Sequence, residues 1–330
     1  MRNGEVLLRV ENLKKYFPLR AGVFKKVVGW VKAVDGVSFE VFTGETLGVV
    51  GESGCGKSTL GMTILRLVEP TDGRIVFAGQ DITNLPPARL RLIRKDMQMI
   101  FQDPFSSLNP RMTVQAIIEE GLKVHRVVPQ SKMREEVEML LERVGLSRDY
   151  IRRFPHEFSG GQRQRISIAR AIALRPRLVI ADEALSSLDV SVRSQILELL
   201  RELKKEYSLT YLFISHDLAV VRQISHRILV MYLGKVVELA PKERFFSRPL
   251  HPYSVALISA VPIPDPEARR SRIVLKGDVP SPLQPPSGCR FHTRCPKAQR
   301  VCAELEPSLQ EIESGHFVAC HFPGCVTLEG

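Results

Sequence analysis

No run of 18 apolar residues occurs in this 330-residue chain; the longest apolar runs, such as Ile228–Leu233, have the length of a strand. A bilayer-spanning helix needs about 20 such residues, so no segment reads as one. The opening Met1-Arg2-Asn3-Gly4-Glu5 leads directly into a strand-like segment without a signal peptide's apolar region, which predicts a protein on the cytoplasmic side. Tryptophan occurs once and aromatics make up 7% of the chain, so the net charge of +11 lacks the interleaved aromatics of a nucleic-acid reader. Internal repeats and low-complexity tracts are also missing. Close C-x2-C pairs of the zinc-knuckle kind are absent, the shortest cysteine gap being the x4 between Cys320 and Cys325. The charge excess is uneven: residues 1–32 hold eight Lys/Arg against two Glu, a basic surface suited to lipid headgroups or to solvent.

What is present is concentrated in short motifs. Residues 51–58 read Gly-Glu-Ser-Gly-Cys-Gly-Lys-Ser, entered by the apolar run Thr46–Val50 and left by a helical pattern from Ser58 to Leu67. This is the strand–loop–helix setting that a phosphate loop requires. Gly51, Gly54 and Gly56 let backbone N–H groups turn inward without Cβ obstruction, and Lys57 brings positive charge to the β and γ phosphates. Ser58 is placed to ligate Mg²⁺; Glu52, Ser53, Cys55 and Thr59 complete the phosphate-binding set, Cys55 as a small residue with no sign of thiolate chemistry.

Arg177–Asp182 is an apolar run closed by a carboxylate, which reads as a buried parallel strand delivering Asp182 to its C-terminal end, where it can hold Mg²⁺. Glu183 leaves that strand and can act as general base toward an attacking water. Ser159-Gly160-Gly161-Gln162 opens a second helical run, Arg163–Leu174, and so places a hydroxyl and bare amides at another positive helix end.

At this point the chain resembles the ATP-binding cassette (ABC) ATPases, whose signature motif Ser159–Gln162 matches, with Phe158 in place of the usual leucine. The resemblance implies a P-loop α/β fold: a RecA-like mixed-sheet core with a β-subdomain and an inserted α-helical subdomain. It also implies ATP and Mg²⁺ as ligands, and two cassettes closing head to tail so that each signature meets the γ-phosphate on the other. Gln102, in Phe101-Gln102-Asp103-Pro104, matches the Q-loop residue that senses Mg²⁺ and γ-phosphate; Asp189 matches the D-loop; His216 matches the switch histidine; Tyr16 is the candidate for stacking on adenine. Ala184 stands where the family often has proline and Ser187 where alanine is common, and neither change removes a reacting group.

The chain divides accordingly into a cassette over 1–262, with its helical subdomain at about 103–162, and a Pro-rich linker with a small Cys-rich extension over 263–330. Strands are expected at Leu178–Asp182, Thr210–Ile214 and Arg227–Tyr232, amphipathic helices at Val114–Val124, Met133–Val144 and Val190–Tyr207, and a loop at Pro18–Lys32. Cys289, Cys295, Cys302 and Cys320 follow a C-x5-C-x6-C-x17-C spacing, and five of the six cysteines fall in the last 42 residues. In a cytosolic chain that clustering favours metal or cluster ligation over disulfides, and the spacing by itself does not choose the metal.

Leu13-Lys14-Lys15-Tyr16-Phe17-Pro18, Ser107-Leu108-Asn109-Pro110, His251-Pro252-Tyr253 and Gly288-Cys289-Arg290-Phe291-His292 with Arg294-Cys295-Pro296 are similar to phrases of oligopeptide/dipeptide ABC importer ATPases, in particular the second (F-type) ATPase of the pair. That likeness implies a [4Fe-4S] cluster on Cys289, Cys295, Cys302 and Cys320; His292, His316 and His321 are alternative ligands that keep zinc open. It further implies a paralogous ATPase partner, two membrane-spanning permease subunits, and indirectly a solute-binding protein, with peptides as cargo and oligosaccharide or nickel as related ones. The chain is then peripheral at the cytoplasmic membrane face. The rival from another class is a soluble ABC ATPase working on nucleic acid or ribosomes, but the fused second cassette or coiled-coil insertion usual there is not seen.

Overall fold

The computed structural model describes residues 4–22, 26–186, 188–261, 273–275 and 277–326. Two compact units emerge: a phosphate-loop unit of Val6–Val41, Thr46–Thr83 and Ser215–Gly330, and a helical unit of Met1–Glu5, Phe42–Glu45 and Asn84–Ile214.

In the phosphate-loop unit, strands Lys26–Phe42, Val6–Ala21, Asp72–Phe77 and Gln80–Asp81 lie side by side in that order. Leu8 faces Phe77 and Val10 faces Ile75 across an antiparallel ladder; these four are buried while Arg9 between them is exposed, the alternation of a one-sided sheet. The loop expected over Pro18–Lys32 is mostly strand, since one strand runs to Ala21 and the next begins at Lys26. β-Branched Val27, Val28 and Val31 favour extended backbone, and pairing of the two long strands needs no buried face there. Residues 23–25 lie outside the described residues.

A second sheet region of this unit is mixed, as expected. Thr46–Val50, buried at all five positions, runs parallel to Arg227–Tyr232. Leu233 and Gly234, at φ 44° and 78°, then turn the chain into the antiparallel strand Lys235–Pro241. His316–Val318 pairs onto Lys235–Pro241, and Gln310–Glu313 pairs outside it. The expected linker prolines Pro262, Pro264 and Pro266 lie outside the described residues, as does the 262/263 boundary; Pro280, Pro282, Pro285 and Pro286 fall in neither helix nor strand.

One buried carboxylate ties these pieces together. Glu238, fully buried, accepts the backbone N–H groups of Leu250 and His251, each at 2.9 Å, and meets His316 Nε2 at 2.7 Å. His251 in turn caps the helix Pro252–Ser259, its Nδ1 accepting the Tyr253 N–H at 3.1 Å.

In the helical unit, Met97–Ile100, Leu178–Asp182 and Thr210–Ile214 form a parallel sheet, with Ile100 beside Ala181 and Asp182 beside Ile214. Between its first two strands come the helices Pro104–Ser107, Val114–His125, Met133–Arg143 and Gly160–Ile172. Thr113 caps the second by accepting the Ala116 N–H, and Val114, Ile117, Ile118 and Leu122 bury one stripe at helical spacing. Arg126, in the left-handed region, ends it.

His251 generates a pH prediction. Burial holds its imidazole down at about 4 despite the opposing pull of Glu238, so it folds neutral. The unfolded ring titrates near 6.5. Stability contributed by the neutral ring is therefore complete above pH 6.5 and is lost as pH falls from 6.5 toward 4. Thermal unfolding midpoints measured over that range should fall more steeply for the wild-type chain than for His251→Asn, which keeps a cap acceptor without the titration.

Candidate functional site

The phosphate loop leaves the buried strand Thr46–Val50 and enters the helix Lys57–Ile64. Its glycines are required by geometry. Gly56, the N-cap, sits at φ 106°, and a Cβ there would meet the Ala33 carbonyl oxygen at 1.9 Å; at Gly51, φ 152°, it would meet the Met231 carbonyl oxygen at 2.2 Å. Backbone therefore walls the loop on its outer side and directs it inward.

The Lys57 ammonium lies inside this loop, with Nζ donating to the carbonyls of Gly51 at 2.8 Å and Glu52 at 3.0 Å. Its side chain is buried, so the charge is delivered to the loop interior and not to solvent. Cys55 is buried behind it, its thiol pushed up by burial, which agrees with a packing role. Ser53 and Gly54 are exposed at the loop's tip, and Ser58 and Thr59 are half-buried in the first helical turn.

Two further expected residues belong to the same unit. His216 is exposed just after Ser215, whose N–H donates to Val49 O at 3.1 Å and so ties that turn to the strand feeding the phosphate loop. Tyr16 is half-buried on its strand, with the Lys32 ammonium 5.8 Å from its ring centroid. The Tyr16 hydroxyl donates to Asp35, which also pairs with Arg290. Burial, then the Asp35 contact, raise the Tyr16 phenol well above its ordinary value. Burial works to raise the Asp35 carboxyl, but Tyr16, Lys235 and Arg290 outweigh it and hold that carboxyl below the usual range.

The remaining expected residues belong to the helical unit. Asp182 ends its strand buried, and Glu183 turns off it at φ 43°, a left-handed conformation that costs a non-glycine residue about 1 kcal/mol. The Glu183 N–H donates to Ile214 O at 2.9 Å and its carbonyl accepts Ser186 N–H at 3.0 Å, so both sides of the turn are held. Gln102 Nε2 donates to the Glu183 carboxylate at 3.0 Å. Ser159 caps the helix Gly160–Ile172: its Oγ accepts the Gln162 N–H and its own N–H donates to Gln162 Oε1, a capping box. Phe158 is buried edge-on against Tyr150, its carbonyl accepting two nitrogens of Arg163. A Cβ on Gly161 would meet Val192 at 2.6 Å. Asp189 is exposed and caps the helix Val190–Tyr207 through the Val192 N–H. Ser187 lies outside the described residues.

Cys289, Cys295, Cys302 and Cys320, joined by Cys325, line one narrow pocket together with His292 and His321. None is in a disulfide. His316 does not reach it, being spent on Glu238. Burial first, and neighbouring thiols after it, raise Cys289 and push Cys295 up to about 11 and Cys320 up to about 12. Among the described residues no group of three or more His, Cys, Asp or Glu side chains stands at metal-holding geometry. The pocket's sulfurs are soft donors, the ligand type that a soft cation or cluster takes.

The expected oxygen donors for Mg²⁺, Ser58, Asp182 and Gln102, are hard ligands suited to that ion. The sequence motifs found these residues, but not Arg290 or Arg294, the latter donating through Nη1 at 2.7 Å and Nη2 at 3.1 Å to the Glu52 carboxylate of the phosphate loop. Both lie inside the phrases around Cys289 and Cys295, and the only sequence signal for them was a pair of arginines among the cysteines.

Comparison with known proteins shows the family of the chain. Residues 34–186 match the model of the ABC transporter family, and residues 237–302 match that of the oligopeptide/dipeptide transporter C-terminal region. The chain is 56% identical over 322 residues to the oligopeptide transport ATP-binding protein AppF of Bacillus subtilis, covering 97% of this chain and 98% of that one. It is 53% identical to a probable peptide ABC transporter ATP-binding protein of Sinorhizobium fredii, covering 96% and 90%. Among solved structures, a dimeric ATP-binding cassette in a post-hydrolysis state bound to ADP and Pi superposes with TM-score 0.64 at 27% identity, over 72% of this chain and 99% of that one. The cassette cbiO1 of Clostridium perfringens, part of an ABC transporter complex, gives TM-score 0.62 at 26% identity, over 74% and 92%.

The glycine geometry makes a direct prediction. Gly56→Ala cannot keep φ 106° with Ala33 O at 1.9 Å from its Cβ, so the loop must shift. Calorimetric titration with Mg-ADP should show at least a ~tenfold loss of affinity, a threshold equal to about 1.4 kcal/mol.

Proposed function

Because the chain belongs to the ATP-binding subunits of oligopeptide/dipeptide ABC transporters, we propose that it energises peptide uptake through a binding-protein-dependent importer, as one of two cassettes closing head to tail around ATP. It is an ABC-type ATPase with the mixed-sheet cassette fold. The observation that carries the mechanism is Glu183, strained into a left-handed turn straight after Asp182 and held by the Gln102 amide at 3.0 Å.

In this mechanism Lys57 exchanges its hold on the Gly51 and Glu52 carbonyls for the β and γ phosphates, while inward loop amides bind the same oxygens. Ser58, Asp182 and Gln102 would hold Mg²⁺, which when bound offsets phosphate charge. Glu183 accepts a proton from the attacking water, and the new O–P bond forms as the γ-phosphate separates from ADP. His216 donates to the γ-phosphate, Tyr16 stacks on adenine, and the partner cassette's Ser159–Gln162 segment and Asp189 complete the site. Loss of the γ-phosphate removes the bridge between cassettes, and Gln102 carries that change toward two membrane-spanning permease subunits. A paralogous ATPase is the partner this reading favours. No helix among the described residues is long and apolar enough to cross a membrane, which suits peripheral attachment at the cytoplasmic face. Oligosaccharide and nickel remain the related cargoes, and the eight Lys/Arg of residues 1–32 would suit lipid headgroups.

The pocket of Cys289, Cys295, Cys302 and Cys320 would hold a [4Fe-4S] cluster, which when bound cross-links four separate segments of the extension. Zinc is the rival occupant, with His292 or His321 in place of a thiolate.

Two measurements test these assignments. Glu183→Gln should bind Mg-ATP like the wild-type chain while turnover falls about 10²-fold or more, the scale of a lost general base; wild-type turnover removes Glu183 from that role. Protein purified without oxygen should be brown and contain iron and acid-labile sulfide in equal amounts, and Cys302→Ala should lose both. Zinc without sulfide would reject the cluster.

A further inference from the structure

We infer that Arg294 and Tyr253, both far outside the nucleotide motifs, are positioning residues for the phosphate loop, holding Glu52 from two sides. The inference rests on the nucleotide site proposed above. Glu52 follows Gly51, and these two residues supply the carbonyls that hold the Lys57 ammonium. The Glu52 N–H donates to Tyr253 Oη at 2.8 Å, and its carboxylate receives both terminal nitrogens of Arg294. The loop's first residues are therefore fixed by backbone and side chain at once.

The anchors are themselves rigid. Tyr253 is fully buried, with ring centroids of Tyr232 and Phe291 at 4.8 and 5.4 Å. Arg294 is 8% exposed at its side chain, whereas Glu52 is 28% exposed. Drawing a guanidinium out of water to meet a carboxylate 242 residues away is a poor route to stability, because desolvation offsets the attraction. It is an effective route to geometry, since a bidentate fork fixes both position and orientation.

Charge supplies the reason for needing it. A carboxylate in a loop that must receive polyphosphate repels the ligand unless it is neutralised and turned aside. Arg294 does both. Because Arg294 adjoins Cys295 and Tyr253 lies in the first turn of the helix that His251 caps, the C-terminal segment gains a hand on nucleotide affinity without contacting the nucleotide.

Calorimetric titration of the full chain with Mg-ADP, which cannot turn over, tests this. Arg294→Gln should weaken binding about tenfold, the value of one charge-assisted bidentate pair. Adding Glu52→Gln to that variant should restore affinity to within about twofold, because the released carboxylate is the cause of the loss. Tyr253→Phe, which keeps the buried ring, should weaken binding about threefold, and it decides the matter alone if Arg294→Gln does not fold. A loss in Arg294→Gln that Glu52→Gln fails to relieve assigns Arg294 to packing and overturns the inference, as does unchanged binding in Arg294→Gln or Tyr253→Phe. A wild-type chain that binds no Mg-ADP overturns the proposed function and the inference together.

Discussion

The Lys57 ammonium enclosed by the carbonyls of Gly51 and Glu52 is the interaction on which the rest of this molecule depends. The Gly51 carbonyl faces this cation, while the N–H of the same peptide, on Glu52, faces the opposite way and donates to Tyr253 Oη. That reversal needs positive φ at Gly51, Gly54 and Gly56, and it needs walls, which Ala33 and Met231 supply with their own backbone. The fully buried strand Thr46–Val50 then holds the loop's entry against Arg227–Tyr232. Burial, glycine conformation and charge therefore serve one geometric end.

Glu183 meets the same kind of constraint by another means. Asp182 ends a buried strand, and the carboxylate one residue later leaves the sheet at once. The chain accepts a strained left-handed residue there and secures it with Ile214, Ser186 and Gln102. Gln102 gives the Glu183 carboxylate a side-chain donor at 3.0 Å.

Within the phosphate-loop unit, buried polar groups tie the C-terminal segment to the strands and the loop. Glu238 gathers Leu250, His251 and His316; Arg290 reaches Asp35 and thereby Tyr16; Arg294 reaches Glu52. Each is a charge whose burial requires its partner, so the extension can pack in few ways. That specificity aligns a pocket of five cysteines beside the residues that hold the phosphate loop.

Much of the molecule was legible in the sequence, for a physical reason. The phosphate loop, the strand ending in Asp182 and the signature at Ser159–Gln162 are local: each is a strand or helix end whose φ demands and capping groups lie within a few residues. Leu178–Asp182, Thr210–Ile214, Arg227–Tyr232 and Val190–Tyr207 form as their patterns indicate, because continuous apolar runs and helical stripes report burial directly. The stretch Pro18–Lys32 was misread as loop because an exposed pair of strands has no buried face to impose alternation. Tertiary structure alone decided the partners of Glu52, Asp35 and Glu238. A carboxylate's need for a cation or N–H donor is written in its chemistry, but that Arg294 serves Glu52 across 242 residues, Arg290 serves Asp35 across 255 and His316 serves Glu238 across 78 is recorded by no local spacing.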